Sequence, residues 1–459
     1  MTDKHQLMGT EKVGKLLLQF SLPAIIGMLV NALYNIVDRI YIGNIKDVGH
    51  LAIAGVGIVF PVIIFVFGFS ILIGLGSATN VSLNLGRKNQ EEAEKYLGTA
   101  LVFGLAVSLI LAVIAFIWLD DIVGFLGGSE KTFKYASEYL KVCILGFPAA
   151  VVGYVANASI RADGNPKMAM VTLLIGAITN IVLDPIFIFY LGMGVKGAAL
   201  ATIISQYVSG IWAVYYFYTR FSGLKIKKEY LVFAWDKMKE ITMIGSAPFA
   251  IQLGSSVVNY TYNSTLKVYG GDNAIGAMAV VQAILVFTLM PIFGINQGLQ
   301  PVLGYNYGAR LFSRVKEALY KAIFGATAIC VFYYIIIQFF SKDLIKIFTR
   351  EQGLLDIASK GLRIEAFMLP IIGFQIICTV YFQAVGKPKM SLFMSLSRQI
   401  IVLIPCIIIM SRMFGAIGIW YAAPVSDFIA TVITLILIRR ELKTLKRIDE
   451  RVQADREKN

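Results

Sequence analysis

The chain is poor in the residues that most protein chemistry requires: two histidines, four cysteines and only 15% charged residues in 459. Cys143, Cys330, Cys378 and Cys406 all fall inside apolar stretches at unrelated spacings, so neither a disulfide framework nor a zinc site is suggested. His5 and His50 stand in polar segments, which leaves histidine-dependent metal or nucleophilic chemistry without support. Acidic residues are scarce too, 28 against 42 Lys and Arg. The resulting charge of +14 has the size of a phosphate-binding footprint. It is spread through the breaks between apolar runs, however, so no nucleic-acid partner is expected. One motif is a decoy. GTEKVGK at 9–15 matches most of a phosphate-binding loop, but Leu16 stands where Ser or Thr is required and no strand precedes it.

What the chain has in excess is apolar sequence, 57% of residues with a mean hydropathy of +0.72. A soluble interior cannot absorb that much, whereas about twelve spans of roughly 20 residues can. Unbroken runs such as 101–119 and 400–410 lack the alternation of barrel strands, so the spans are helices and the fold class is all-α. Polar breaks place spans near 15–42, 51–79, 97–119, 134–160, 168–191 and 197–219. A second set lies near 240–267, 274–302, 318–340, 361–384, 389–411 and 416–438. The apolar run after residue 15 continues to Ile42 without a cleavage signature, which favours a retained first helix over a signal peptide.

The second set repeats the first. Pro148 recurs at Pro370, Asn84 and Gly86 at Asn306 and Gly308, and GNPKM at 164–168 as GKPKM at 386–390, all 222 positions on. Pro23 recurs at Pro248 with three further positions. Six spans per half is an even number, so two pseudo-symmetric six-helix bundles (6+6) enter from the same side, related by an axis along the membrane normal. The organisation is then a terminal segment 1–14, a first lobe 15–219, a linker 220–239, a second lobe 240–438 and a basic tail 439–459. With both termini cytoplasmic, 27 Lys and Arg fall on the inner side and 12 on the outer, leaving Arg39, Lys321 and Arg398 within spans. This places a multi-pass protein in the cell membrane, its basic tail toward anionic lipid.

Intramembrane carboxylates are costly enough to be functional hypotheses by default. The spans enclose Asp38, Asp184, Glu365 and Asp427, with Glu365 near a span end and therefore interfacial, and Asp427 suited to a hydrogen bond between helices. At about 1.5 Å per residue, Asp38, Asp184, Asn180 one turn from it, Thr202 and Tyr139 all reach the outer half of the first lobe. Pro185 removes a backbone donor immediately after Asp184, a device for bending a helix at an ion site. Two carboxylates, an amide, a hydroxyl and a phenol offer oxygen ligands alone, which suits a hard cation such as Na⁺, held at Asp38, Asn180, Asp184 and Thr202, and equally suits a proton. The second lobe has Asn263 opposite Asp38 and LIP at 403–405 opposite LDP at 183–185, so ion coupling is expected in the first lobe alone.

A polar stripe runs down span 1 through Gly27, Asn31, Tyr34 and Asp38, and its repeat in span 7 is Gln252, Ser256, Asn259 and Asn263. Facing each other, and joined by Phe287 and Met290 of span 8, they would line a central cavity for flat, amphiphilic, often cationic molecules.

These residues carry a resemblance. VDRIYIG with Asp38, ITNIVLDPIFI with Asn180, Asp184 and Pro185, QPVLGYNYGAR after span 8, the paired GNPKM and GKPKM loops and the 6+6 plan are similar, over essentially the whole chain, to the multidrug and toxic compound extrusion (MATE) family, in its bacterial and archaeal multidrug branch. The resemblance implies two bundles forming a V and export of cationic or amphiphilic drugs in exchange for H⁺ or Na⁺. It also implies a first-lobe cation site on Asp38, Asn180, Asp184 and Thr202, with Tyr139 beside it. Branches with an acid in span 7 are not matched, since 252–263 contains none. Rival readings are a flippase for lipid-linked intermediates, which needs a more cationic cavity, and a channel, which an ion site in one lobe suits poorly. An integral-membrane enzyme lacks its motifs. No cofactor is expected beyond the transported ion, and no obligatory protein partner.

Overall fold

The computed structural model describes residues 3–46, 48–349 and 351–458, and every regular element among them is helical. A short helix α1 (Asp3–Thr10) precedes the first crossing α2 (Val13–Gly43). The first lobe continues with α3 (Gly49–Gly86), α4 (Gln90–Ile117), a short α5 (Leu119–Phe125), α6 (Phe133–Ala162), α7 (Pro166–Pro185) and α8 (Gly194–Tyr216). The second comprises α9 (Trp235–Tyr269), α10 (Gly271–Gly308), α11 (Phe312–Lys346), α12 (Gln352–Glu365), α13 (Leu369–Ala384), α14 (Pro388–Leu396), α15 (Leu403–Phe414) and α16 (Ala416–Lys458). The pairs α12–α13 and α14–α15 each make one crossing, interrupted by a 3₁₀ turn at Ala366–Met368 and a π-helical turn at Ser397–Val402. Among the described residues, twelve segments are long and apolar enough to cross a bilayer, and the protein is a multi-pass membrane protein.

Helices overrun the polar breaks of the sequence. The second crossing extends to Gly86 and the eighth to Gly308, so the NLGR and NYGAR motifs begin inside helices rather than in loops. The last crossing continues as one helix into the basic tail. There Ile438, Leu445 and Glu441 are buried, with Glu441 taking Lys387 at 2.6 Å, while Arg439, Arg440, Lys443, Lys446 and Arg447 point outward. Hydropathy registers where lipid ends; hydrogen bonding along the backbone has no reason to stop there.

Among the described residues, the close approaches between the lobes lie toward the face on which α2 begins and α16 ends. There α2 packs on α10 and α3 on α9, and glycines permit the approach. A Cβ on Gly76 would stand 2.1 Å from the Ile241 carbonyl oxygen, and one on Gly298 2.6 Å from Ser21 N. On the axis between lobes, Gly86 would meet the Tyr305 carbonyl at 2.0 Å and Gly308 that of Leu83 at 2.1 Å. Gly76 and Gly298, like Gly86 and Gly308, are 222 positions apart, so the crossings obey the repeat. Gln300 Nε2 adds a bond to Thr79 Oγ1 at 2.7 Å. The contact ends at Phe69 against Phe249, ring centroids 5.0 Å apart, and at Met28 against Gln297. Beyond that level Asn31, Ser256, Asn259, Asn263 and Phe287 are exposed, and the two bundles form a V open on the far face.

Candidate functional site

Helix α7 places Asn180 and Asp184 one turn apart on one face, both fully buried. Asn180 Nδ2 lies 3.4 Å from Asp184 Oδ1 and 3.5 Å from Thr202 Oγ1 of α8. The Asp38 carboxyl of α2 comes within hydrogen-bonding reach of Asp184, and Tyr139 of α6 within electrostatic range of Asp38. Asp38, Asn180, Asp184 and Thr202 are thus brought together, with Tyr139 in electrostatic range of Asp38. Directly after Pro185 the helix widens into a π-helical turn, Ile186–Tyr190. That is the local bend expected where proline withholds a donor.

What the cluster lacks defines its chemistry. Asp38 Oδ1, Asn180 Oδ1 and Asp184 Oδ2 are buried without a hydrogen-bond partner. All three are acceptors, so the unmet requirement is for positive charge or a proton rather than for another polar side chain. Two carboxylates facing each other away from water repel unless a proton or cation lies between them. The donor set of carboxylate, amide and hydroxyl oxygens fits a hard monovalent cation and fits a proton equally well.

The structure revises three expectations. The span-1 stripe does not face the other lobe. Gly27 lets α2 close on Leu173 of α7, where a Cβ would be 2.7 Å from Leu173 Cδ1, and Tyr34 on the same face lies in electrostatic range of both Asp38 and Asp184. Asn31 sits exposed at the margin of that face, its oxygens accepting from Asn35. The span-7 stripe does point away from its own lobe, because Gly254, Val258 and Tyr262 occupy the inward face. One residue of register turns a helix by about 100°, so two repeat-related stripes separated by a three-residue insertion need not face alike. Gln252 and Met290 lie half-buried toward the base of the V, with Phe69, Phe249, Met28 and Gln297 beside them as a floor that helical stripes alone did not single out.

Glu365 is not interfacial. Helix α12 starts at Gln352, well before the expected span, so Glu365 lies deep in the crossing, 3% exposed, with Gln282 Nε2 3.2 Å from Oε2. The second lobe thus has buried polar groups of its own, including Asp427, which takes Arg398 Nε at 2.9 Å. His5, read as part of a polar segment, is fully buried against Asp163. The linker begins to fold onto the first lobe before α9. Glu94 accepts from Lys225 N and pairs with Lys227 at 2.7 Å, which holds the Lys227 ammonium above its ordinary pKa.

Comparison with known proteins agrees with this geometry. The MatE family model matches residues 23–186 and 249–408, one block in each lobe. The multidrug export protein MepA of Staphylococcus aureus (strain MRSA252) is 26% identical over 426 residues, 93% of each chain. MepA of Staphylococcus haemolyticus is 26% identical over 424 residues, covering 92% of this chain and 93% of that one. A solved multidrug resistance MATE family transporter in an outward-facing conformation superposes with a TM-score of 0.91 at 25% identity, over 97% of this chain and 99% of the other. A MATE structure described as bent also superposes at 0.91, with 25% identity over 98% of this chain and all of the other. By the match in both halves and the shared 6+6 architecture, the chain belongs to the MatE family of efflux transporters.

Proposed function

We propose that the protein is a secondary antiporter that exports cationic or amphiphilic organic compounds in exchange for H⁺ or Na⁺, alternating between the V open on the far face and a V open on the terminal face. The terminal face is cytoplasmic in this reading, by the excess of Lys and Arg there. The observation that carries it is the set of three buried acceptor oxygens on Asp38, Asn180 and Asp184 that no donor of the protein satisfies, gathered inside the first lobe.

The V receives the compound between Gln252, Ser256, Asn259, Asn263, Phe287 and Met290, where amide, hydroxyl, aromatic and thioether groups contact flat cations without demanding one shape. Proton or cation uptake at Asp38 and Asp184 draws α2 onto α7 in the far-open state and displaces the compound. Directional exchange requires the ion to bind that state more tightly than the other. Against a lipid-pyrophosphate flippase stand the engagements of the intramembrane cations: Arg39 over the Phe60 ring at 5.2 Å, Lys321 with Glu317 at 2.6 Å and Arg398 with Asp427.

The test is ethidium efflux from proteoliposomes with a pH gradient or a Na⁺ gradient imposed separately, native protein against Asp184→Asn. One gradient should drive efflux, and the variant should lose that response. Efflux indifferent to both gradients, or unchanged in the variant, overturns the reading.

A further inference from the structure

The N-terminal helix α1 bridges the two lobes at the terminal face. On one side His5 Nε2 bonds Asp163 Oδ1 at 2.9 Å, both residues fully buried. Asp163 lies in the loop between α6 and α7, and its Oδ2 gathers Tyr216 OH of α8 at 2.7 Å, Gly223 N at 3.0 Å and Ser222 Oγ at 3.2 Å. On the other side the chain is held by the second lobe. Asn306 Nδ2 of α10 donates to the Met8 carbonyl at 3.0 Å, and Arg314 Nη2 of α11 donates to the Glu11 carbonyl at 2.6 Å. Arg314 Nε is itself fixed by Asn306 Oδ1 at 2.9 Å. Met8 is buried, and Gly9 lies against the Tyr305 ring.

The repeat shows that this is an addition. Asn84 and Asn306 both donate to the carbonyl four residues back, Asn80 and Val302, and Asn306 alone of the two has Met8 as a further acceptor, while Asp163 has Val385 at its repeat position. On the opposite flank of the same face the lobes are joined covalently by the linker, and Lys237 of α9 reaches Glu92 of α4 at 2.5 Å. Helix α1 supplies a fastening on its own flank.

We propose that residues 3–12 are a strap that holds the lobes together on the terminal face, and that leaving Asp163 on one side or Asn306 and Arg314 on the other is a required step when that face opens. His5 and Arg314 are then positioning residues of the conformational cycle, with no contact to ion or transported compound. A buried His–carboxylate bond exists only in the strapped state, so its loss shifts the balance toward the open face by about tenfold. The proposal rests on the reading that the lobes part on this face during transport.

The experiment places a reporter where the lobes touch. Ser82 of α3 is buried against Gly304 of α10, so Ser82→Cys in a Cys406→Ser background is sheltered from a maleimide until the lobes separate. His5→Ala and Arg314→Ala should each raise the labelling rate about tenfold, deletion of residues 2–10 at least as much, and His5→Gln, which keeps a donor for Asp163, should return it toward native. Equal labelling of native protein and the deletion variant overturns the strap, as does a His5→Gln rate equal to that of His5→Ala. The deletion removes nothing from the twelve crossings, so it serves if the point variants fail to fold. Labelling needs neither compound nor gradient, so its outcome stands apart from the efflux test: a faster-labelling variant of a protein without coupled efflux supports the strap and refutes the antiport.

Discussion

Replacing Gly86 by Ala tests whether the closed terminal face depends on backbone contact between lobes. The added Cβ would stand 2.0 Å from the Tyr305 carbonyl oxygen and 2.9 Å from Ala309 N, where ordinary contact begins at 3.4 Å. Neither neighbour is the end of a flexible side chain, so α3 and α10 must separate by more than 1 Å. Overpacking of this kind costs about 1–3 kcal/mol. The helix-propensity gain of Ala over Gly, about 0.5–1 kcal/mol, applies in both states and cancels between them. Because only the closed arrangement bears the clash, the ratio of closed to open shifts by roughly 5- to 150-fold. Spin labels on Cys substituted at the exposed loop residues Lys88 and Arg310, 222 positions apart in the repeat, report the separation. The distance distribution should lengthen in Gly86→Ala and in its symmetry mate Gly308→Ala. It should stay native in Gly57→Ala on the same α3, where nothing lies within 4 Å. An unchanged distribution and an unchanged melting temperature in Gly86→Ala would refute the argument.

Three further outcomes are expected. Arg398→Leu or Asp427→Leu alone leaves a buried charge without its partner and should cost about 3–5 kcal/mol of stability, while the double replacement recovers most of it; a thermal-unfolding double-mutant cycle without coupling contradicts this. Asn180→Leu removes the amide shared between Asp184 and Thr202 and should raise the half-saturating concentration of the driving ion at least tenfold, read in the proteoliposome assay. Outside the membrane, the Lys15 ammonium and the Lys12 N–H lower the Glu11 carboxyl below its usual pKa of 4.5. A lowered folded value means that the contribution is present above the unfolded pKa and lost as pH falls through the folded one. The melting-temperature advantage of native protein over Glu11→Gln should therefore shrink on acidification below pH 4.5, and an advantage that persists there goes against it.

The first-lobe acids were legible because the membrane makes a buried carboxylate conspicuous and α-helical periodicity puts Asn180 and Asp184 on one face. Tyr34 matches the spacing of the cavity stripe, and spacing does not say which neighbour a stripe faces. Glu365 looks interfacial in sequence for a related reason. The polar start of α12 looks like the end of a loop, yet it continues the helix, and hydropathy is blind to that continuation. His5 gave no signal, since a single histidine in a charged segment has the composition of a solvated tail until a partner 158 residues away is brought to it.

The amino-acid order by itself determined the twelve crossings, the duplication and the scarcity of intramembrane charge, because each follows from local transfer energies and from similarity along one chain. Which way the V opens, which stripe faces the other lobe and how the N-terminal helix fastens the two halves were decided only in three dimensions. Those features depend on helix rotation of about 100° per residue and on contacts between positions hundreds of residues apart, such as Met8 with Asn306 and Gly86 with Tyr305.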